Sequence, residues 1–176
     1  MITPDTKDWT WVLERPCPEC GLDVRTVPRE EVSARLRRSA AAWDKALHGS
    51  GDLRMRPRPE VWSPVEYACH VRDVCRLFLE RLEMMLTRDD PAYPDWNQDE
   101  AAVKGRYGEQ EPLTVAAELG EAAEALARRF DGVAGEDWQR TGVRSDGVRF
   151  TVESFARYLL HDVVHHLHDV TGARAG

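Results

Sequence analysis

The sequence predicts an all-α protein, a four-helix bundle with a leader in front of it and a short hairpin before its last helix. Three observations carry that prediction. Four segments repeat apolar residues at three- and four-residue steps, the period of a helix that buries one face. Their starts carry helix signals, a proline in the first turn or a hydroxyl residue just ahead of it. Strand-like alternation is confined to the N-terminal leader and to one short stretch around Ser145.

Residues 1–27 are set apart as an extended leader, because WTWVLERPCPECGLD alternates large apolar and polar residues and then breaks at two prolines. The bundle is expected over 28–176 as a single domain. Pro28 stands in a first turn, and Val32, Leu36, Ala40, Trp43 and Leu47 make the first apolar stripe before Gly49-Ser50-Gly51 ends it. The second helix has the clearest start. Ser63 is its N-cap, Pro64 its first residue, and Glu66 follows the cap by three, a capping box. Its stripe is Tyr67, His70, Val71, Val74, Phe78, Leu82 and Met85, so His70 faces inward, and the helix is expected to reach about Leu86. Asp89 to Pro112 is a long segment punctuated by Pro and Gly, with a short helix over Gln98 to Lys104. Loops of such length commonly carry function. Thr114 is read as the cap of the third long helix, with Val115, Leu119, Ala122, Leu126 and Phe130 on one face. Ser145-Asp146-Gly147 makes a hairpin turn between Val143 and Val148, and the last helix runs from after Thr151 to about Thr171.

Composition narrows the function. Across 176 residues, 42% are hydrophobic and 31% charged, the profile of an ordinary soluble domain. A net charge of −7 argues against a nucleic-acid partner, which needs a basic face. No apolar run approaches the roughly 20 residues of a membrane span, and the polar start MITPDTKDW has no signal-peptide core. A cytoplasmic location follows as the expectation. There the cysteines Cys17, Cys20, Cys69 and Cys75 are expected reduced, buried or metal-bound rather than paired.

The last helix holds the unusual chemistry. Four of the six histidines lie in LHDVVHHLHD, residues 160–169. At about 100° per residue, Tyr158, His161, His165 and His168 share one stripe, whereas His166 points among Leu159, Val163 and Val170. The aliphatic face of Leu159, Val163, Leu167 and Val170 suggests a partner, most simply a homodimer. His161 and His165 sit one turn apart, the spacing that lets two imidazoles share a metal. Inward-facing His70 is the natural third ligand. Such a pair also occurs without metal, hydrogen-bonded or exposed, and a satisfied core histidine is the plain alternative for His70.

The series Trp62-Ser63-Pro64-Val65-Glu66, His70, a long linker, and His161-x-x-x-His165-His166 resembles the DinB-like superfamily over about Pro28 to Thr171. Its relatives include YfiT-like metal-dependent hydrolases, bacillithiol S-transferases and mycothiol-dependent maleylpyruvate isomerases. The resemblance implies an up-down-down-up four-helix bundle, commonly dimeric. It also implies one divalent metal, Zn²⁺ first with Ni²⁺ or Fe²⁺ as others, on His70, His161 and His165. In the mycothiol isomerase branch a Glu opens the last-helix pair; here that place falls to His161.

The chemistry so implied is S-transfer from a thiol such as mycothiol to a small electrophile, with metal-dependent hydrolysis as the alternative. A non-catalytic bundle binding a small molecule is the third reading. Arg outnumbers Lys by 21 to three, which hints at a GC-rich host of the kind that makes mycothiol. Glu66 and Asp73, near His70 on its helix, are candidate catalytic groups, although Glu66 has its capping role and Asp73 an Arg neighbour as alternatives. Tyr158, His168 and Trp96 are candidates to line a cofactor or substrate pocket, and Trp96 and Tyr107 to form a lid or pack the loop. Cys17-Pro-x-Cys20-Gly looks like half a zinc ribbon whose second half is missing, since Cys69 and Cys75 are six apart on a helix. It is read as structural or incidental.

Overall fold

The computed structural model describes residues 8–175; the first seven residues of the expected leader lie outside the described residues. Among the described residues are five α-helices: α1 (Val32–Leu47), α2 (Pro64–Thr87), the short α3 (Gln98–Lys104), α4 (Pro112–Asp131) and α5 (Val152–Thr171). A two-stranded antiparallel hairpin, β1 (Thr141–Val143) and β2 (Arg149–Thr151), precedes α5, with Gly142 opposite Phe150.

The helix starts follow from local chemistry. The Ser63 hydroxyl accepts from the Glu66 N–H at 3.4 Å and the Glu66 carboxylate accepts from the Ser63 N–H at 2.8 Å, the reciprocal bonds of a capping box. Thr151 and Ser154 repeat the device at α5, with the Ser154 N–H donating to Thr151 Oγ1 at 3.1 Å and the Thr151 N–H to Ser154 Oγ at 3.0 Å. The third long helix starts earlier than its threonine suggests. Pro112 occupies its first turn, and Thr114 is an exposed residue inside it. Proline fits there because the first-turn N–H has no intrahelical acceptor.

Around the bundle, α4 packs on both α1 and α2, and α5 packs on the same two helices from the other side, while α1 and α2 scarcely touch. The stripes read from the sequence form the core. Val32, Leu36, Trp43 and Leu47 of α1 meet Val71, Val74, Leu82 and Met85 of α2, Val115, Leu119, Leu126 and Phe130 of α4, and Phe155, Leu159 and Val163 of α5. The aliphatic face of α5 therefore lies in the chain's own core, and Leu167 and Val170 pack partly against it. Trp43, fully buried, places its indole N–H 3.2 Å from the Val163 carbonyl of α5.

Over its described residues the leader is not extended. It folds through 3₁₀ turns at Thr10–Leu13 and Val24–Thr26, with another at Arg29–Glu31 just after it, and buries Val12, Cys17, Cys20, Val24 and Val27. The hairpin is anchored by a close approach. A Cβ on Gly142 would lie 2.8 Å from Met85 Cγ and 2.9 Å from the Tyr93 ring, so only glycine lets β1 sit on α2. The long segment is tied to the same hairpin, with the Tyr93 N–H donating to the Val143 carbonyl and the Val143 N–H to that of Pro91.

The capping assignments are testable by urea unfolding. Ser63→Ala should cost about 1 kcal/mol through the lost cap, whereas Thr114→Ala should stay within about 0.5 kcal/mol of wild type. Equal losses at the two positions would contradict the start assigned to α4.

Candidate functional site

The site forms where α2 and α5 face each other. His70 of α2 is buried, and its ring meets that of His166 on α5 edge to face, with centroids 4.8 Å apart. Asp162, one turn before His166, completes the group. His70 Nε2 lies 3.6 Å from Asp162 Oδ2, and His166 Nε2 lies 3.3 Å from Asp162 Oδ1. One potential ligand atom from each of the three falls within 4.8 Å of the others. A second group forms beside it, where His161 and His165 of α5 meet Cys17 and Cys20 of the leader within the same 4.8 Å, and all four are buried.

The structure thus divides the ligand set read from the sequence. His70 shares a cluster with Asp162 and His166, not with His161 and His165. The reason is one residue of helical phase. A step of about 100° turns His161 and His165 toward the leader, and Asp162 and His166 toward α2. His166, assigned to the aliphatic side, faces the cleft instead.

The charges of the first cluster are coupled to one another. Burial pushes the Asp162 carboxyl up, but the adjoining imidazoles of His166 and His70 outweigh it and hold the group well below the usual carboxylate range. Burial favours neutral His166, yet Asp162 and then Asp169 raise it to about 10. His70 goes the other way, lowered by burial that Asp162 only partly offsets. In the second cluster burial lowers His161 to about 4 and pushes the Cys20 thiol up to about 11.

Both ring nitrogens of His70 and Oδ2 of Asp162 are buried with no hydrogen-bond partner among the described residues. Leaving such atoms unpaired costs about 1–3 kcal/mol each. Two imidazoles and a carboxylate within 4.8 Å of one another are the donor types a divalent metal takes, leaving coordination positions open. His166 is also oriented from behind, its Nδ1 donating to Asp169 Oδ2 at 3.0 Å; a carboxylate on the far nitrogen fixes a ligating ring and its tautomer. The residues present fit a metal.

The cluster opens into a cleft of about 610 Å³. Trp96 stacks on His70 with centroids 5.6 Å apart, and Trp62 lies 5.3 Å from it on another side. Tyr158, Phe78 and Phe150 continue the wall, and Trp9 of the leader closes it next to His161 and His165. Two guanidinium groups, Arg81 and Arg144, also line it. Arg81 is buried, lies 4.7 Å over the Tyr93 ring, donates to the Pro94 carbonyl, and leaves Nε without a hydrogen-bond partner among the described residues.

Of the predicted pocket residues, Tyr158 and Trp96 line the cleft. His168 does not, and donates from Nδ1 to the Ala173 carbonyl at 3.0 Å beyond the end of α5. Glu66 and Asp73 are not cleft residues either. Glu66 is committed to the Ser63 cap and to an ion pair with Arg56, which together overcome burial and lower its carboxyl. Asp73 pairs with Arg72 and accepts from the Tyr107 hydroxyl at 2.5 Å. That bond packs the long loop down through buried Tyr107, so Tyr107 is no lid. Sequence reading missed Asp162, His166, Asp169 and Arg81. An acid four residues before a histidine was the available signal for the first two; Arg81 had none.

The model of the DinB superfamily matches residues 35–170. The chain belongs to that superfamily. Its fold is similar to that of YfiT from Bacillus subtilis, described as "a probable metal-dependent hydrolase with an unusual four-helix bundle topology". The TM-score is 0.73 at 17% identity, over 82% of this chain and 86% of that one. At that identity the likeness concerns the fold, and it bears out the bundle expected from the sequence. No curated protein matches the chain.

The roles assigned to Asp73 and Tyr107 are open to measurement. Asp73→Asn and Tyr107→Phe should each cost about 1–3 kcal/mol in urea unfolding and leave divalent-metal content unchanged. Loss of metal in Asp73→Asn would return Asp73 to the site.

Proposed function

We propose that the chain is a divalent-metal-dependent enzyme that transfers a thiol of the mycothiol type to a small anionic electrophile, with His70, Asp162 and His166 holding the metal. The observation that carries this reading is the convergence of one ligand atom each from His70, Asp162 and His166 within 4.8 Å beside an open cleft, with His70 Nε2 and Asp162 Oδ2 buried and making no hydrogen bond among the described residues. The donor set suits Zn²⁺ first, with Fe²⁺ or Ni²⁺ as the other cations it would accept. Bound there, a divalent cation supplies Lewis acidity that stabilises negative charge developing on sulfur or oxygen at its open position.

The chain's own residues support the rest. Asp169 keeps the proton on His166 Nδ1 and so fixes the ring's direction. Trp62, Trp96 and Tyr158 give the cleft an apolar wall that keeps bulk water from a reactive sulfur. The unpaired Arg81 Nε offers a charge-assisted bond to a carboxylate on the electrophile.

Two observations favour thiol transfer. With Asp162 rather than His161 grouped with His70, an acid opens the pair, as the resemblance implies for the Glu of the mycothiol isomerase branch; here the acid is shorter by one methylene. A volume of about 610 Å³, in the middle of the range for small-molecule sites, suits two organic reactants better than one reactant and a water. Hydrolysis is the second reading, favoured by the description of the YfiT fold neighbour.

Elemental analysis and a substrate panel test the proposal together. His70→Ala, Asp162→Ala and His166→Ala should each lose one equivalent of divalent metal relative to wild type. Asp169→Asn should weaken binding at the same centre about ten- to hundredfold. Thiol-dependent consumption of a carboxylate-bearing electrophile, lost in His166→Ala and on chelation, is the expected activity. Thiol-independent ester or amide cleavage with the same dependence would move the assignment to hydrolysis. Metal-replete protein inactive in both assays would overturn the enzymatic reading.

A further inference from the structure

We propose that Cys17, Cys20, His161 and His165 form a second metal centre, a closed structural Zn²⁺ site of the Cys₂His₂ type that fastens the leader to α5. The half-ribbon CPEC lacks a second pair of ligands in the sequence nearby, and the fold supplies one from a helix more than 140 residues away, His165 lying 148 positions after Cys17. Four donors of the right kinds converge within 4.8 Å, each on a buried residue. Cys17 Sγ and His165 Nδ1 are 3.6 Å apart. A tetrahedral zinc with bonds of about 2.3 Å to sulfur and about 2.0–2.1 Å to nitrogen sets that edge at roughly 3.5–3.6 Å.

The surroundings are those of a built site. His161 Nε2 is buried without a hydrogen-bond partner among the described residues. The other nitrogen of His165, Nε2, faces carboxylates of Glu19 at 3.6 Å and Asp169 at 3.8 Å, placed to hold the tautomer that presents Nδ1 to a metal. The cysteine loop is already shaped as a knuckle. The Gly21 N–H donates to the Cys17 carbonyl at 2.9 Å, and Gly21 takes φ +81°, which a side chain would resist. The chain's end clasps it from outside, with the Ala175 N–H donating to the Cys20 carbonyl and Arg174 to that of Pro18.

Four protein ligands fill a tetrahedral zinc and leave no place for substrate, whereas the His70 cluster offers three. The second centre therefore acts on structure. It also reaches the cleft, because Trp9 packs on the rings of both His161 and His165 and lines the cleft wall. Sulfur ligation separates this centre from any metal held by His70, Asp162 and His166, so either can be present without the other.

The test is zinc X-ray absorption on full-length His70→Ala protein, in which the other centre is disabled. One equivalent of zinc with two sulfur neighbours at about 2.3 Å and two nitrogens at about 2.0–2.1 Å is the expected result. Zinc with no sulfur, or none at all, would overturn the proposal. Alkylation of wild-type protein gives an independent reading that needs no variant. Chelation should speed labelling of Cys17 and Cys20 at least about tenfold while Cys69 and Cys75, buried in the helix core, stay protected. Labelling of Cys17 and Cys20 that ignores the chelator, or a Cys17–Cys20 disulfide in protein kept reduced, would overturn it as well.

Discussion

Everything distinctive in this protein depends on the phase of one helix. Neighbouring residues on an α-helix point about 100° apart, and α5 sets two His-containing pairs side by side, His161 with His165 and Asp162 with His166. The first pair turns to the leader and the second to α2. Two imidazole-containing clusters thus stand side by side on one rod, without sharing a ligand. The aliphatic residues between them, Leu159, Val163 and Leu167, hold that rod in the bundle. Trp43 pins it further through the Val163 carbonyl. Rotating α5 by a single residue would break both groupings, since only one pair could then face either neighbour.

Holding so many titratable groups inside a bundle is costly unless each has a partner. The His70 cluster meets that cost only in part. Asp162 gains from His166, and His166 from Asp162 and Asp169, yet three polar atoms on His70 and Asp162 stay unsatisfied among the described residues. Glu66 and Asp73 show the contrast on the same helix. Each has its lone pairs taken up by a cap or by arginines, and each is structural.

The bundle was legible in the sequence because its signals are local. A capping box needs only Ser63 and Glu66, and an apolar stripe needs only its own period. The short helix Gln98–Lys104 and the hairpin around Gly147 are of the same kind. Elsewhere a neighbour overrides the local rule. Thr114 looks like a cap until Pro112 is seen to occupy the first turn, and the alternation of the leader gives no sign of its 3₁₀ turns. The stripe of α2 turns His70 inward, and the fold keeps it there. One-turn spacing marks His161 and His165 as a pair of ligands without saying which way the pair faces.

By itself, then, the sequence determined the helices, their inward faces, the capping of α2 and the presence of metal-ligand residue types on α5. Those follow from interactions within a few residues of the chain. Tertiary structure alone decided which ligands meet. Whether His70 faces His161 or Asp162 depends on the rotation of α5 about its axis, and that rotation is fixed by packing against α1 and α2. Likewise only folding could bring the helix pair His161 and His165 to the two cysteines of CPEC. Periodicity along a chain specifies a face, and the neighbour it meets is a property of the assembled core.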